Sequence, residues 1–179
     1  AVAGTGAMTK MLSCSGDFYQ NGYGGPTSQD VNPAFYNIEP NLEWDSRVTI
    51  GAIDSTGNPF PENALQNIGI DWTDFENGGD VLANNGTWFI LPTDGQGEAE
   101  MITTDDCSTV YAVRIARLTA GSTADTIHFE GFVQGRYGNG LLFSEGAMLD
   151  LGYEDQVDCN ENDVNDNCDI ANGNSSDDN

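Results

Sequence analysis

Apolar and polar side chains alternate with a period of two through much of the second half of the chain. In residues 126–135, Ile127, Phe129, Gly131 and Val133 alternate with His128, Glu130, Phe132 and Gln134. That pattern predicts a strand with one buried face. Residues 109–118 read the same way, with Tyr111, Val113 and Ile115 on one side and Val110, Ala112, Arg114, Ala116 and Leu118 on the other. Residues 119–125 between them are the length of a hairpin loop. Upstream, 44–53 gathers β-branched residues and aligns Val48, Ile50 and Ala52, while 67–72 is a short alternating run. Asn84-Asn85-Gly86 is a turn signal before the apolar strand 87–91. Residues 98–103 predict a polar edge strand, and 140–151 the last strand or two.

Strands of this length, separated by turn signals, predict an all-β fold, a β-sandwich or jelly roll. No amphipathic helix is evident. The organisation has three parts. Residues 1–16 are small and apolar, with Met8, Met11 and Leu12 the larger members, and are expected to form an N-terminal arm. Residues 17–154 form the sandwich domain, opening with a Gly/Asn/Pro/Tyr-rich irregular connection over 17–41. Residues 155–179 form a tail with eight Asp/Glu, seven Asn and no Lys or Arg, too poor in apolar side chains to pack a core of its own.

Composition changes this picture in three ways. The 22 glycines among 179 residues fit strands and turns better than a helical bundle. Five Lys/Arg against 29 Asp/Glu give a net charge of −24, which repels nucleic-acid phosphates and anionic membranes and attracts divalent cations. No apolar run approaches the ~20 residues of a membrane helix. Four cysteines, Cys14, Cys107, Cys159 and Cys168, suggest disulfides and an oxidising compartment. Three pairings are possible. The closeness of Cys159 and Cys168 favours joining them and leaves Cys14 with Cys107. Ala-Val-Ala-Gly at the start fits the product of a signal-peptidase cut, so the chain is expected to be secreted.

The tail carries the most specific chemistry. Within Asp158–Asp169, Asp158, Asn160, Asn162, Asp166 and Asp169 fall at loop positions 1, 3, 5, 9 and 12. That is the oxygen-ligand spacing of an EF-hand-type calcium loop, with Val164 at position 7 offering its backbone carbonyl. Calcium takes six to eight hard oxygens at ~2.3–2.6 Å, which alternate residues of a tight loop supply. Cys159 and Cys168 sit at positions 2 and 11, where a disulfide would cinch the loop without removing a ligand. Asp163 replaces the usual glycine of position 6, and Asp169 the usual glutamate of position 12.

The run Asp158-Cys-Asn-x-Asn-x-x-x-Asp166-x-Cys168-Asp169-Ile170-Ala171 resembles the Asp/Asn-rich calcium repeats of secreted planctomycete-like bacterial proteins, which are similar to dockerin and thrombospondin type 3 loops. The resemblance implies Ca2+ as the cofactor. It also implies a second repeat, cut off after Asp177 and Asn179, and a native chain that continues. The upstream strands loosely resemble the β-sandwich modules beside such tails, some of which build extracellular filaments.

Catalytic chemistry finds little support. His128 is the only histidine, and no Gly-x-Ser-x-Gly or phosphate-binding glycine loop is present. Acidic pairs are common: Asp71, Asp74, Glu76 and Asp80 beside Trp72 and Phe75, and Asp105 with Asp106. They read as solvated loops more than as a glycosidase pair. Asn85 and Asn174 begin Asn-x-Ser/Thr sequons and are candidate glycosylation sites. The chain is therefore expected to be non-enzymatic. One reading is a self-associating subunit of an extracellular filament or surface layer, its arm adding a strand to a neighbour's sheet. The alternative is a glycan- or surface-binding module, with Tyr19, Tyr23, Tyr36 and Trp72 as stacking platforms and the calcium repeat as linker.

Overall fold

The computed structural model describes residues 1–5, 9–104 and 108–152, and they form an all-β, sandwich-like fold. Its eleven strands are β1 (Val2–Ala3), β2 (Thr9–Cys14), β3 (Arg47–Val48), β4 (Gln66–Ile68), β5 (Val81–Ala83), β6 (Thr87–Phe89), β7 (Glu100–Thr103), β8 (Thr109–Ala112), β9 (Ala116–Arg117), β10 (Ile127–Arg136) and β11 (Leu142–Leu151). Helix is limited to 3-10 turns and one α turn, α1 (Thr73–Glu76). Seven strands make one sheet, while β3–β9 and β7–β8 form two separate ladders.

The two ten-residue strands β10 and β11 form the clearest unit. They pair antiparallel without interruption from Ile127↔Leu151 to Arg136↔Leu142. The alternation seen in the sequence is reproduced in β10, where Ile127, Phe129 and Gly131 are buried. Along its other side β10 meets the N-terminal segment twice. Val2 and Ala3 lie opposite Val133 and Phe132, and Leu12 to Cys14 lie opposite Phe129 to Ile127.

The N-terminal segment, expected as an arm, lies within the sheet. On the side away from β10, Val2 and Ala3 pair with Trp88 and Thr87, and Thr9 to Leu12 pair with Ala83 to Val81 through an irregular register. β1 and β2 thus lie end to end in the middle of the sheet, both against β10. Val2, Met11 and Leu12 join Val48, Ile50, Phe75, Val81, Trp88, Ile127 and Phe129 in the core. Burying each large apolar side chain contributes about 1.5–3 kcal/mol, which offsets the cost of ordering a segment with so few of them.

Other expectations change as well. The turn signal at 84–86 links β5 to β6, which pair with β2 and β1 rather than with each other. The strand read over 109–118 is divided: β8 pairs with β7, whereas β9 pairs with β3. Residues 119–125 then lead to β10 as a plain connection. The strand read over 44–53 shrinks to β3. Just beyond it, Gly51 has a φ of +73° that suits glycine, and a Cβ there would collide with the Gln96 carbonyl. The same Gln96 is buried and donates from Nε2 to the Ile50 carbonyl at 2.7 Å, while its Oε1 accepts from the Ala64 N–H at 2.6 Å.

The irregular stretch 17–46 is held by a buried polar hub. Asp45 accepts from the Asn21 N–H (2.6 Å) and the Gly25 N–H (3.1 Å). Arg47 donates to the carbonyls of Ile53, Glu43 and Asp45 at 2.8–3.1 Å. Both side chains are essentially excluded from solvent. Burial pushes the Asp45 carboxyl above its ordinary range despite these donors, and burial likewise lowers the Arg47 guanidinium. Asp45→Ala strands two buried N–H groups. It is expected to destabilise the domain by about 2–4 kcal/mol, read as a lower urea midpoint with an unchanged slope. A loss within experimental error would contradict the hub's role.

Candidate functional site

The residues expected to carry chemistry fall into separate places. The calcium loop, with Asp158, Asn160, Asn162, Val164, Asp166 and Asp169, lies outside the described residues, as do Cys107, Cys159, Cys168 and Asn174. Cys14 ends β2 and carries a free, half-buried thiol whose pKa is raised, chiefly by burial. Asn85 is exposed in the link between β5 and β6, a position compatible with a glycan.

The acidic cluster near α1 is occupied with local structure. Asp71 accepts from the Thr73 N–H (3.0 Å) and hydroxyl (2.7 Å), and these bonds lower its pKa. Asp80 pairs with Lys10 at 2.6 Å. Among the described residues no group of three or more His, Cys, Asp or Glu side chains could hold a metal ion. His128 faces away from the core, and its Nδ1 lies 2.6 Å from Asp150 Oδ1 across the β10–β11 ladder. The pair joins two strands on an open sheet face.

Of the proposed stacking platforms, Tyr23 stands open. Trp72 is half-buried against Phe75 and Trp88 and donates to Asn67 Oδ1 at 3.1 Å. The Tyr36 hydroxyl is buried, and burial raises its pKa. Sequence reasoning missed the exposed rings of Phe35 and Trp44. Phe35 lies 6.3 Å from Tyr23, and Trp44 lies beneath the Arg117 guanidinium, 4.6 Å from it. Both follow prolines, at 33 and 40, that open 3-10 turns. A proline two to four residues before an aromatic was the available signal.

The more distinctive feature is the lane occupied by β1. Val2 is fully buried between Trp88 and Val133. The lane is closed by hydrogen bonds from the Gln134 N–H to the Ala1 carbonyl (2.8 Å), from the Gly4 N–H to the Gly86 carbonyl (2.9 Å) and from the Thr87 hydroxyl to the Val2 carbonyl (2.6 Å). Beyond Ala1 it widens into an apolar groove of about 1360 Å³ between the β7–β8 and β10–β11 hairpins, lined by Ile90, Leu91, Tyr111, Val133, Tyr137 and Phe143 among others. The sheet thus has a slot shaped for an extended segment, filled here by residues 1–4.

The fold and this slot define an all-β protein with an inserted strand. No protein-family model, curated protein or solved structure matches the chain.

Val2→Asp places a carboxylate in the slot with no cationic partner. The expected cost is about 3–5 kcal/mol, seen as a fall in Tm; an unchanged Tm would show that the slot does not depend on β1.

Proposed function

We propose that the chain is a secreted, calcium-stabilised structural subunit that self-associates into an extracellular filament or surface layer. In this reading the 1–4 segment of one copy completes the sheet of the next. The observation that carries it is the β1 lane. Val2 and Ala3 contact β6 and β10 by backbone pairing, and those contacts are the same whichever copy supplies the segment. Gly4 follows β1, and glycine is suited to a hinge. A head-to-tail exchange of this kind is heterologous and grows into a filament when its rotation does not close.

The charge of −24 makes copies repel at low ionic strength. Calcium held by Asp158, Asn160, Asn162, Val164, Asp166 and Asp169 relieves part of that charge. The tail and the cysteine pattern support an extracellular setting.

A second reading, a glycan- or surface-binding module, is supported by the exposed Tyr23 and Phe35 rings and by Trp44. Electron microscopy of the native protein separates the two. Calcium-dependent polymers that dissolve in chelator are expected, whereas a monodisperse monomer in calcium that binds glycans overturns the filament reading. For the metal site, calorimetry is expected to show calcium uptake that Asp158→Ala and Asp169→Ala together reduce by at least about tenfold in affinity, on the order of 1.4 kcal/mol. Unchanged uptake would mean the ligands lie elsewhere.

A further inference from the structure

We propose that the outer edge of β11 is a second, two-fold interface, pairing with β11 of another copy of this chain. The hydrogen-bonding direction of the edge follows from two bonds. The Tyr137 N–H donates to the Leu141 carbonyl at 2.8 Å. Continuing the β10–β11 register past Arg136↔Leu142 sets these residues opposite each other. Pairs of this parity exchange both bonds, so the odd-numbered residues of β11 point their N–H and C=O groups at β10. The Gln134 N–H confirms the parity from the other side, since it turns away from β11 to reach Ala1. Leu142, Ser144, Gly146, Met148 and Asp150 therefore direct their backbone groups outward. Among the described residues no strand pairs with that edge.

Natural edges are blunted by charged side chains, lysine above all, and by proline, bulges or shortness. β11 carries two carboxylates, Glu145 and Asp150, but no lysine or proline, and its ten pairs with β10 run without a register shift. It also exposes Leu142 (76 %), Met148 (69 %) and Leu149 (49 %). An edge of this kind is suited to accept a strand.

The strand itself identifies a second copy as the occupant. An antiparallel pair about a two-fold axis at Gly146 is the register in which all five outward-facing residues meet outward-facing partners. Leu142 then lies opposite Asp150, Ser144 opposite Met148, and Gly146 opposite its own counterpart. Between them Phe143 lies opposite Leu149 and Glu145 opposite Ala147. No carboxylate faces another. Shifting the centre to Glu145 sets two glutamates against each other, which is destabilising in a strand pair. Shifting it to Ala147 leaves Leu142 without an outward-facing partner in β11. With a charge of −24 on each copy, pairing is expected to strengthen as salt screens the repulsion.

This contact is independent of strand exchange through the β1 lane, because it uses the opposite side of β10. The test uses the full chain. Sedimentation equilibrium is expected to show a monomer–dimer equilibrium that tightens with salt. Hydrogen exchange followed by NMR is expected to show the Ser144, Gly146 and Met148 amides becoming protected as protein concentration rises. The Phe143, Glu145 and Ala147 amides, bonded to β10, should be protected throughout and serve as the internal control. Met148→Pro removes one outward-facing donor and leaves the β10 ladder intact; Met148→Asp keeps the backbone and adds charge across the axis. Each is expected to weaken the dimer by at least about tenfold, with far-UV circular dichroism unchanged. A monomer at all concentrations, a dimer indifferent to Met148→Asp, or even-numbered amides whose exchange ignores concentration would each overturn the interface. The last result would mean that the chain's own residues cover the edge. The 1–4 segment and its polymers are untouched by these variants, so the two proposals fail separately.

Discussion

The sheet depends on the backbone ladder of β10. β10 pairs with β11 along its whole length on one side, and with β1 and β2 in succession on the other. Elements far apart in sequence are brought together by that one strand. The N-terminal segment is fixed by it, and through the segment so are β5 and β6, which pair with residues 2–12 rather than with each other. Val2, Leu12, Val81, Trp88, Ile127 and Phe129 form a common core because this line is present. The buried Asp45–Arg47 hub plays the corresponding part for the long irregular stretch. There charge-assisted bonds to backbone groups replace the ladder that strands would have provided.

Electrostatics constrains how such a molecule can associate. Three of its five cations are already engaged within the chain: Arg47 is buried in the hub, Arg117 lies over Trp44, and Lys10 pairs with Asp80. Salt bridges between copies therefore have few donors to draw on. Cohesion must come from backbone pairing, from apolar contact, or from a divalent cation that relieves the repulsion. The β1 lane and the β11 edge are both backbone-dominated, and the acidic tail has the ligand spacing for calcium. The proposed structural role rests on these features.

Much of this fold is legible in the sequence where the chain pairs with itself nearby. The alternation in 126–135 maps directly onto β10, and 140–151 onto β11, because a hairpin's register follows from its own turn. The stretch 109–118 was read as one strand since its alternation continues unbroken. Periodicity reports which face is buried and says nothing about the partner, and here the partner changes from β7 to β3. The N-terminal segment was read as an arm because Val2 and Ala3 are too short a run to signal a strand. Their partners, Trp88 and Val133, are remote in sequence, so no local feature announces the lane. The aromatic surface was half legible: Tyr23 is open as expected, whereas Trp72 is drawn into the core by Phe75 and Trp88. The calcium loop is argued wholly from spacing, since residues 153–179 lie outside the described structure.

In the proposed assembly, the slot between β6 and β10 is filled by the 1–4 segment of a neighbouring copy. Solid-state NMR on polymers grown from an equimolar mixture of two differently labelled preparations tests this. Contacts are expected between Val2 of one label and Trp88 and Val133 of the other. Contacts confined to a single label, in a polymer that has formed, would contradict it.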